Sequence, residues 1–118
     1  ELKKPLNLIE EKYDKNLKWR KIVNNLLKKR YKSLFSQIDK LVYLKVPNFN
    51  YIIKWRWLQE QKMKLTSKSK KTMSKTQVKE FIMFYERLTK HMIKNYSKIS
   101  DLTIFLDKNH RSKKMIIN

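Results

Sequence analysis

The order of periodicities along the 118 residues predicts a helix-rich α/β chain: helix, strand, helix, loop, helix, strand. Three observations carry this. Apolar residues recur at helical spacing from Trp19 to Ile38 and again from Val78 to Tyr96. Two short apolar runs, Leu41 to Val46 and Leu102 to Leu106, have the length and composition of strands. Helical stretches separate those runs, and strands bridged by helices can pair in parallel.

Glu1 to Tyr13 has no clean period, and Pro5 argues against a helix running through it. Asp14 or Asn16 can cap the helix that follows. Its apolar stripe is Trp19, Val23, Leu26, Leu27, Tyr31, Leu34, Phe35 and Ile38, with a bend expected near Tyr31. The opposite face carries Lys18, Lys21, Asn25, Lys28, Lys29 and Lys32, so one stripe should be buried and one face wet. The run Leu41 to Val46 is almost continuously apolar, which suits a strand buried on both faces, and Pro47 ends it.

Asn48 or Asn50 can cap the next helix, read over Asn50 to Met63 as NYIIKWRWLQEQKM. Trp55 and Trp57 point about 200° apart around a helix, so both cannot lie on one narrow core stripe. Lys64 to Met73 reads as a cationic loop. Ser74 and Gln77 have the capping-box form ahead of a helix from about Lys75 to Asn95. Asp107 to Ser112 is a polar turn, and Lys113 to Ile117 reads as a third, short strand. A sheet this thin should expose an edge, which suggests one partial domain over 1–118 rather than a complete one.

Composition excludes several chemistries. The sequence has no glycine, so it contains neither a phosphate-cradling GxxxxGK[ST] loop nor a dinucleotide GxGxxG turn. It has no cysteine, which removes disulfides, thiolate nucleophiles and Cys-based zinc sites. Two histidines are too few for a typical His metal cluster. No run approaches the ~18 apolar residues of a membrane span and no signal-peptide pattern is present, so no membrane partner and a cytoplasmic location are the default expectations. The formal net charge of +20 points to anionic partners. The absence of Gly and Ala beside abundant Lys, Asn and Ile also fits AT-rich codon usage, which weakens that inference.

The segments WRxxVN, WRWxQEQ, MSxxQVxxFxxxYERLT and LDxxHR stand here in that order, within Pro5 to Leu27, Leu34 to Met63, Met73 to Met92 and Asp101 to Arg111. Together the chain resembles the C-terminal half of the D-glycerate 3-kinase-like P-loop kinases, relatives of uridine kinase, pantothenate kinase and phosphoribulokinase. The resemblance implies the C-terminal part of a P-loop-type parallel sheet with long flanking helices. It implies a lid helix and loop over about 48–74, with the Walker A loop ahead of Glu1. It also implies ATP-dependent transfer of the γ-phosphoryl group to D-glycerate or a similar hydroxy acid. ATP and Mg²⁺ would be held mainly by residues ahead of Glu1, and these 118 residues alone would be inactive.

Residue by residue, Arg56 matches the lid-helix Arg that approaches the transferred phosphate, against the plainer alternative of an i,i+4 salt bridge with Glu60. Arg20 and Asn24 match a substrate-side motif. Lys68, Lys70 and Lys71 fall where the lid loop would close on phosphate, although the family's glycine before the Met-Ser pair is replaced here. His110 and Arg111 match a turn at the nucleotide's base end. Trp55 and Trp57 are read as packing, and Glu10, Glu11 and Asp14 as a non-catalytic acidic cluster. No metal ligand is assigned. The competing readings are a nucleic-acid-binding module, supported by charge interleaved with aromatics, and a kinase-derived interaction domain that no longer catalyses.

Overall fold

The structure, a computed structural model, describes residues 2–66 and 71–118. The chain divides into two compact units, Glu1–Leu41 and Val42–Asn118.

The first unit holds two helices, α1 (Leu8–Tyr13) and α2 (Lys18–Phe35). The first was not legible from periodicity. It starts three residues after Pro5, and Asn7 caps it by accepting the Glu10 N–H at 3.1 Å. Asp14 caps α2 from an unusual distance. Its two carboxylate oxygens accept the N–H groups of Trp19, at 2.7 Å, and Arg20, at 3.1 Å. Leu17 at the N-cap position has φ 62, a costly conformation for a bulky residue, and offers no side-chain cap of its own. The Asp14 carboxylate satisfies those first-turn donors instead.

The expected stripe of α2 is only partly covered. Trp19, Val23, Leu26 and Leu27 are half-buried, whereas Tyr31, Leu34, Phe35 and, beyond the helix, Ile38 are exposed. The one buried residue of α2 is Arg20. Period alone marks a face that prefers an apolar neighbour; it does not supply the neighbour.

Among the described residues, the second unit is a three-stranded sheet with three helices. β1 (Val42–Lys45) pairs in parallel with β2 (Leu102–Leu106), which pairs antiparallel with β3 (Ser112–Ile117). The crossover between β1 and β2 carries α3 (Phe49–Thr66), α4 (Lys75–Met83) and α5 (Glu86–Ile99). Tyr43, Thr103 and Ile116 stand in register on one face. Tyr43 and Thr103 are buried, with the Tyr43 ring 5.8 Å from that of Tyr96 on α5. The other face presents Val42, Leu44, Ile104, Met115 and Ile117; Val42 and Leu44 are 54% and 56% exposed. The expectation of a strand buried on both faces is therefore corrected: β1 is covered on one face only.

Two further boundaries differ from expectation. α3 continues to Thr66, three residues past Met63, because nothing in Lys64-Leu65-Thr66 breaks a helix. The single helix over 75–95 is two helices, interrupted at Phe84 and Tyr85. There the bonding tightens to i→i+3: Phe84 N–H donates to Phe81 C=O and Tyr85 N–H to Ile82 C=O. The break has no Pro or Gly to announce it. It turns the chain so that Val78 and Ile82 are buried on α4 and Glu86 is buried at the start of α5. The capping box at Ser74 and Gln77 is formed in full.

Candidate functional site

α3 leaves the carboxyl end of β1 after Pro47, where the Asn48 side chain accepts the Asn50 N–H at 3.0 Å. Four residues separate Arg56 from Glu60, so the two project from the same side of α3. Arg56 Nη1 lies 2.6 Å from Glu60 Oε2. The other oxygen, Oε1, accepts the Met73 N–H at 2.6 Å. The Arg56 guanidinium also lies over the Phe81 ring, 5.9 Å from its centroid. Glu60 is 2% exposed, while the Arg56 side chain keeps 22% of its surface. The Met73 N–H, then the Arg56 guanidinium, hold the Glu60 carboxyl below the usual carboxylate range, against the opposing effect of burial.

The neighbouring Trp55 faces elsewhere. Its Nε1–H donates to the Lys108 carbonyl at 3.2 Å, and its ring meets that of His110 edge-on at 3.8 Å. His110 sits in the β2–β3 turn with φ 63. Asp107 shapes that turn by accepting the N–H groups of Asn109 at 2.7 Å and Arg111 at 2.9 Å. Those amides, Arg111 first, hold its carboxyl below the ordinary range. Trp57 points away and carries Lys64 over its ring at 5.5 Å. As expected from their angular separation, the two Trp do not share one narrow stripe of α3.

Arg20 belongs to the first unit and is 3% exposed. Nε donates to Asp14 Oδ2 at 2.8 Å, Nη2 to the Asp14 carbonyl at 2.7 Å and Nη1 to the Leu2 carbonyl at 2.6 Å; Glu10 Oε2 lies 3.8 Å from Nη1. The guanidinium is thus committed inside its own unit, and Asn24 beside it is half-buried on α2. Burial pushes the Asp14 carboxyl up, but the Arg20 side chain and the Trp19 and Arg20 amides outweigh it and hold it low.

Lys68 and Lys70 lie outside the described residues; Lys71 is exposed. A cleft of about 580 Å³ opens at the carboxyl end of β1, between Asn48, Phe49 and Asn50 on one side and Glu86, Lys90 and Lys94 on the other. Sequence reasoning did not find it, because its walls come from segments some forty residues apart. Neither Arg56 nor His110 lines it. Within it Lys90 is paired with Glu86 at 2.6 Å.

Among the described residues no group of three or more His, Cys, Asp or Glu could hold a metal. Glu10, Asp14, Glu60 and Asp107 are each engaged by protein donors. With no glycine to admit backbone amides to phosphate, these residues do not fit Mg²⁺ or a nucleotide phosphate cradle by themselves. No protein-family model, no curated protein and no solved structure matches the chain.

Proposed function

We propose that these residues are the C-terminal part of an ATP-dependent small-molecule kinase, acting on D-glycerate or a similar hydroxy acid, with α3 as its lid helix and Arg56 as the cation that meets the transferred phosphate. The observation that supports this most is the setting of Arg56. Its helix leaves the carboxyl end of a parallel strand, the side on which open α/β sheets bind ligands, and Arg56 stands two turns further along that helix, outside the cleft at the strand end. One edge of its guanidinium is held by Glu60, and no partner occupies Nε or Nη2 among the described residues. A fixed, partly exposed guanidinium suits phosphoryl transfer, which depends on positioning and charge stabilisation. The phosphate loop and metal ligands are assigned to a part of the protein other than these 118 residues. In this reading Arg20 organises its unit rather than touching substrate, and the Trp55–His110 contact sets the β2–β3 turn.

The test is ATP-dependent phosphorylation of D-glycerate by the protein at its natural length. Arg56→Ala is expected to lower kcat by at least ~10²-fold. Near-normal turnover in that variant would remove Arg56 from the mechanism, and activity of the 118 residues alone would overturn the fragment reading.

One observation favours nucleic-acid binding as a second reading. Lys18, Lys21, Lys28, Lys29 and Lys32 are all exposed along one side of α2, which contains no acidic residue. Five phosphate contacts would give a slope of about −4.5 in log K against log salt on duplex DNA. A slope near zero on replacing these five by Gln, with ATP irrelevant to binding, would favour this reading over the kinase.

A further inference from the structure

Glu60 joins two sequence motifs with one carboxylate. Oε2 takes Arg56 from its own helix, and Oε1 takes the N–H of Met73, thirteen residues along the chain. Exposed i,i+4 ion pairs are loose, since both side chains move through solvent. This one differs because its acid is buried and both oxygens are occupied, so the carboxylate cannot swing. Phe81 lies against the Arg56 guanidinium as well. A buried carboxylate is costly to keep unless its charge is used. A neutral Gln could also accept the Met73 N–H, so what the charge adds is its hold on Arg56.

We propose that Glu60 is a positioning residue: it fixes the Arg56 guanidinium with the Nε–Nη2 edge presented to an incoming oxyanion, and ties that orientation to Met73 at the approach to α4. The salt bridge and the phosphate contact are then not alternatives. The bridge uses one edge of the guanidinium and leaves another for the ligand. The inference rests on the kinase reading for the reaction, while the anion contact itself can be tested without turnover.

The experiment compares wild type, Glu60→Gln, Arg56→Ala and the double variant in the full-length protein. Two readouts are used: steady-state kinetics with ATP and D-glycerate, and the Arg56 Nε–Hε NMR signal titrated with inorganic pyrophosphate. Glu60→Gln is expected to lower kcat by about 10- to 100-fold with KM for ATP nearly unchanged, as misplacement of a charge-stabilising group does. The double variant should be no slower than Arg56→Ala alone, because Glu60 acts through Arg56. The wild-type Arg56 signal should be resolved and shift with pyrophosphate; in Glu60→Gln that response should be lost. If Glu60→Gln does not fold, Glu60→Asp keeps the charge but draws it back by one methylene, and the same losses are expected.

An active wild type with unchanged kcat in Glu60→Gln would overturn the inference and leave the kinase reading standing. An inactive wild type whose Arg56 still answers pyrophosphate in a Glu60-dependent way would do the reverse. No pyrophosphate response in the wild type would overturn the inference outright.

Discussion

The Trp55 ring meets the His110 ring edge-on at 3.8 Å, while its Nε1–H reaches the Lys108 carbonyl two residues earlier. One side chain of α3 thus grips the β2–β3 turn at both a ring and a backbone carbonyl. Trp55→Ala should destabilise the second unit by about 3 kcal/mol, from lost aromatic burial and a lost hydrogen bond. Trp55→Phe should recover part of this. Denaturant midpoints by circular dichroism check both; equal stability of wild type and Trp55→Ala would show that the turn holds itself.

The buried network of Arg20, Asp14 and Glu10 makes the first unit acid-sensitive. The Asp14 carboxyl is held below its ordinary value, so its stabilisation is complete above the unfolded pKa of about 4 and is lost as pH falls through the lower folded value. Loss of α2 helicity below about pH 4 is therefore expected, with a flat profile from pH 5 to 8 as far as this group is concerned. Arg20→Ala should cost about 3–5 kcal/mol at neutral pH, because it leaves a buried carboxylate uncompensated. It should also flatten the acid transition. An unchanged transition would assign the acid response to another carboxylate.

Ser74 both accepts the Gln77 N–H at its hydroxyl and donates its own N–H to the Gln77 side chain. Ser74→Ala should cost about 1 kcal/mol. Hydrogen exchange at the first amides of α4 should rise accordingly, with those of α2 unaffected.

The uncovered side of the sheet is a solubility liability. Leu44 and Met115 stand in register with Ile104 between them, and both are exposed. Leu44→Thr with Met115→Lys should reduce binding of a hydrophobic dye and slow aggregation, while shifting unfolding by less than about 0.5 kcal/mol. A large loss of stability would mean that these side chains are packed in solution.

Much of the fold could be read from local pattern. Both strand runs, the β2–β3 turn and the Ser74–Gln77 box rest on adjacent residues, and the structure contains each of them. The Arg56–Glu60 pair was readable too, since helical geometry alone brings residues four apart together. The pairing of WRxxVN with the acidic cluster was not. Arg20 meets Asp14 and Glu10 only because the segment between α1 and α2 folds back, with Leu17 at positive φ.

What the sequence determined by itself is therefore part of the local chemistry: where the strands and the long periodic segments lie, the Ser74–Gln77 box that opens α4, and which chemistries lack the residue types they need. Tertiary structure alone decided how those segments are used. It broke the helix between Met83 and Glu86 without a breaker residue, since α4 and α5 bury different side chains. It left one face of β1 bare and brought Met73 to Glu60. The physical reason is that periodicity and capping act within a few residues, whereas burial and ion pairing depend on neighbours that only chain folding supplies.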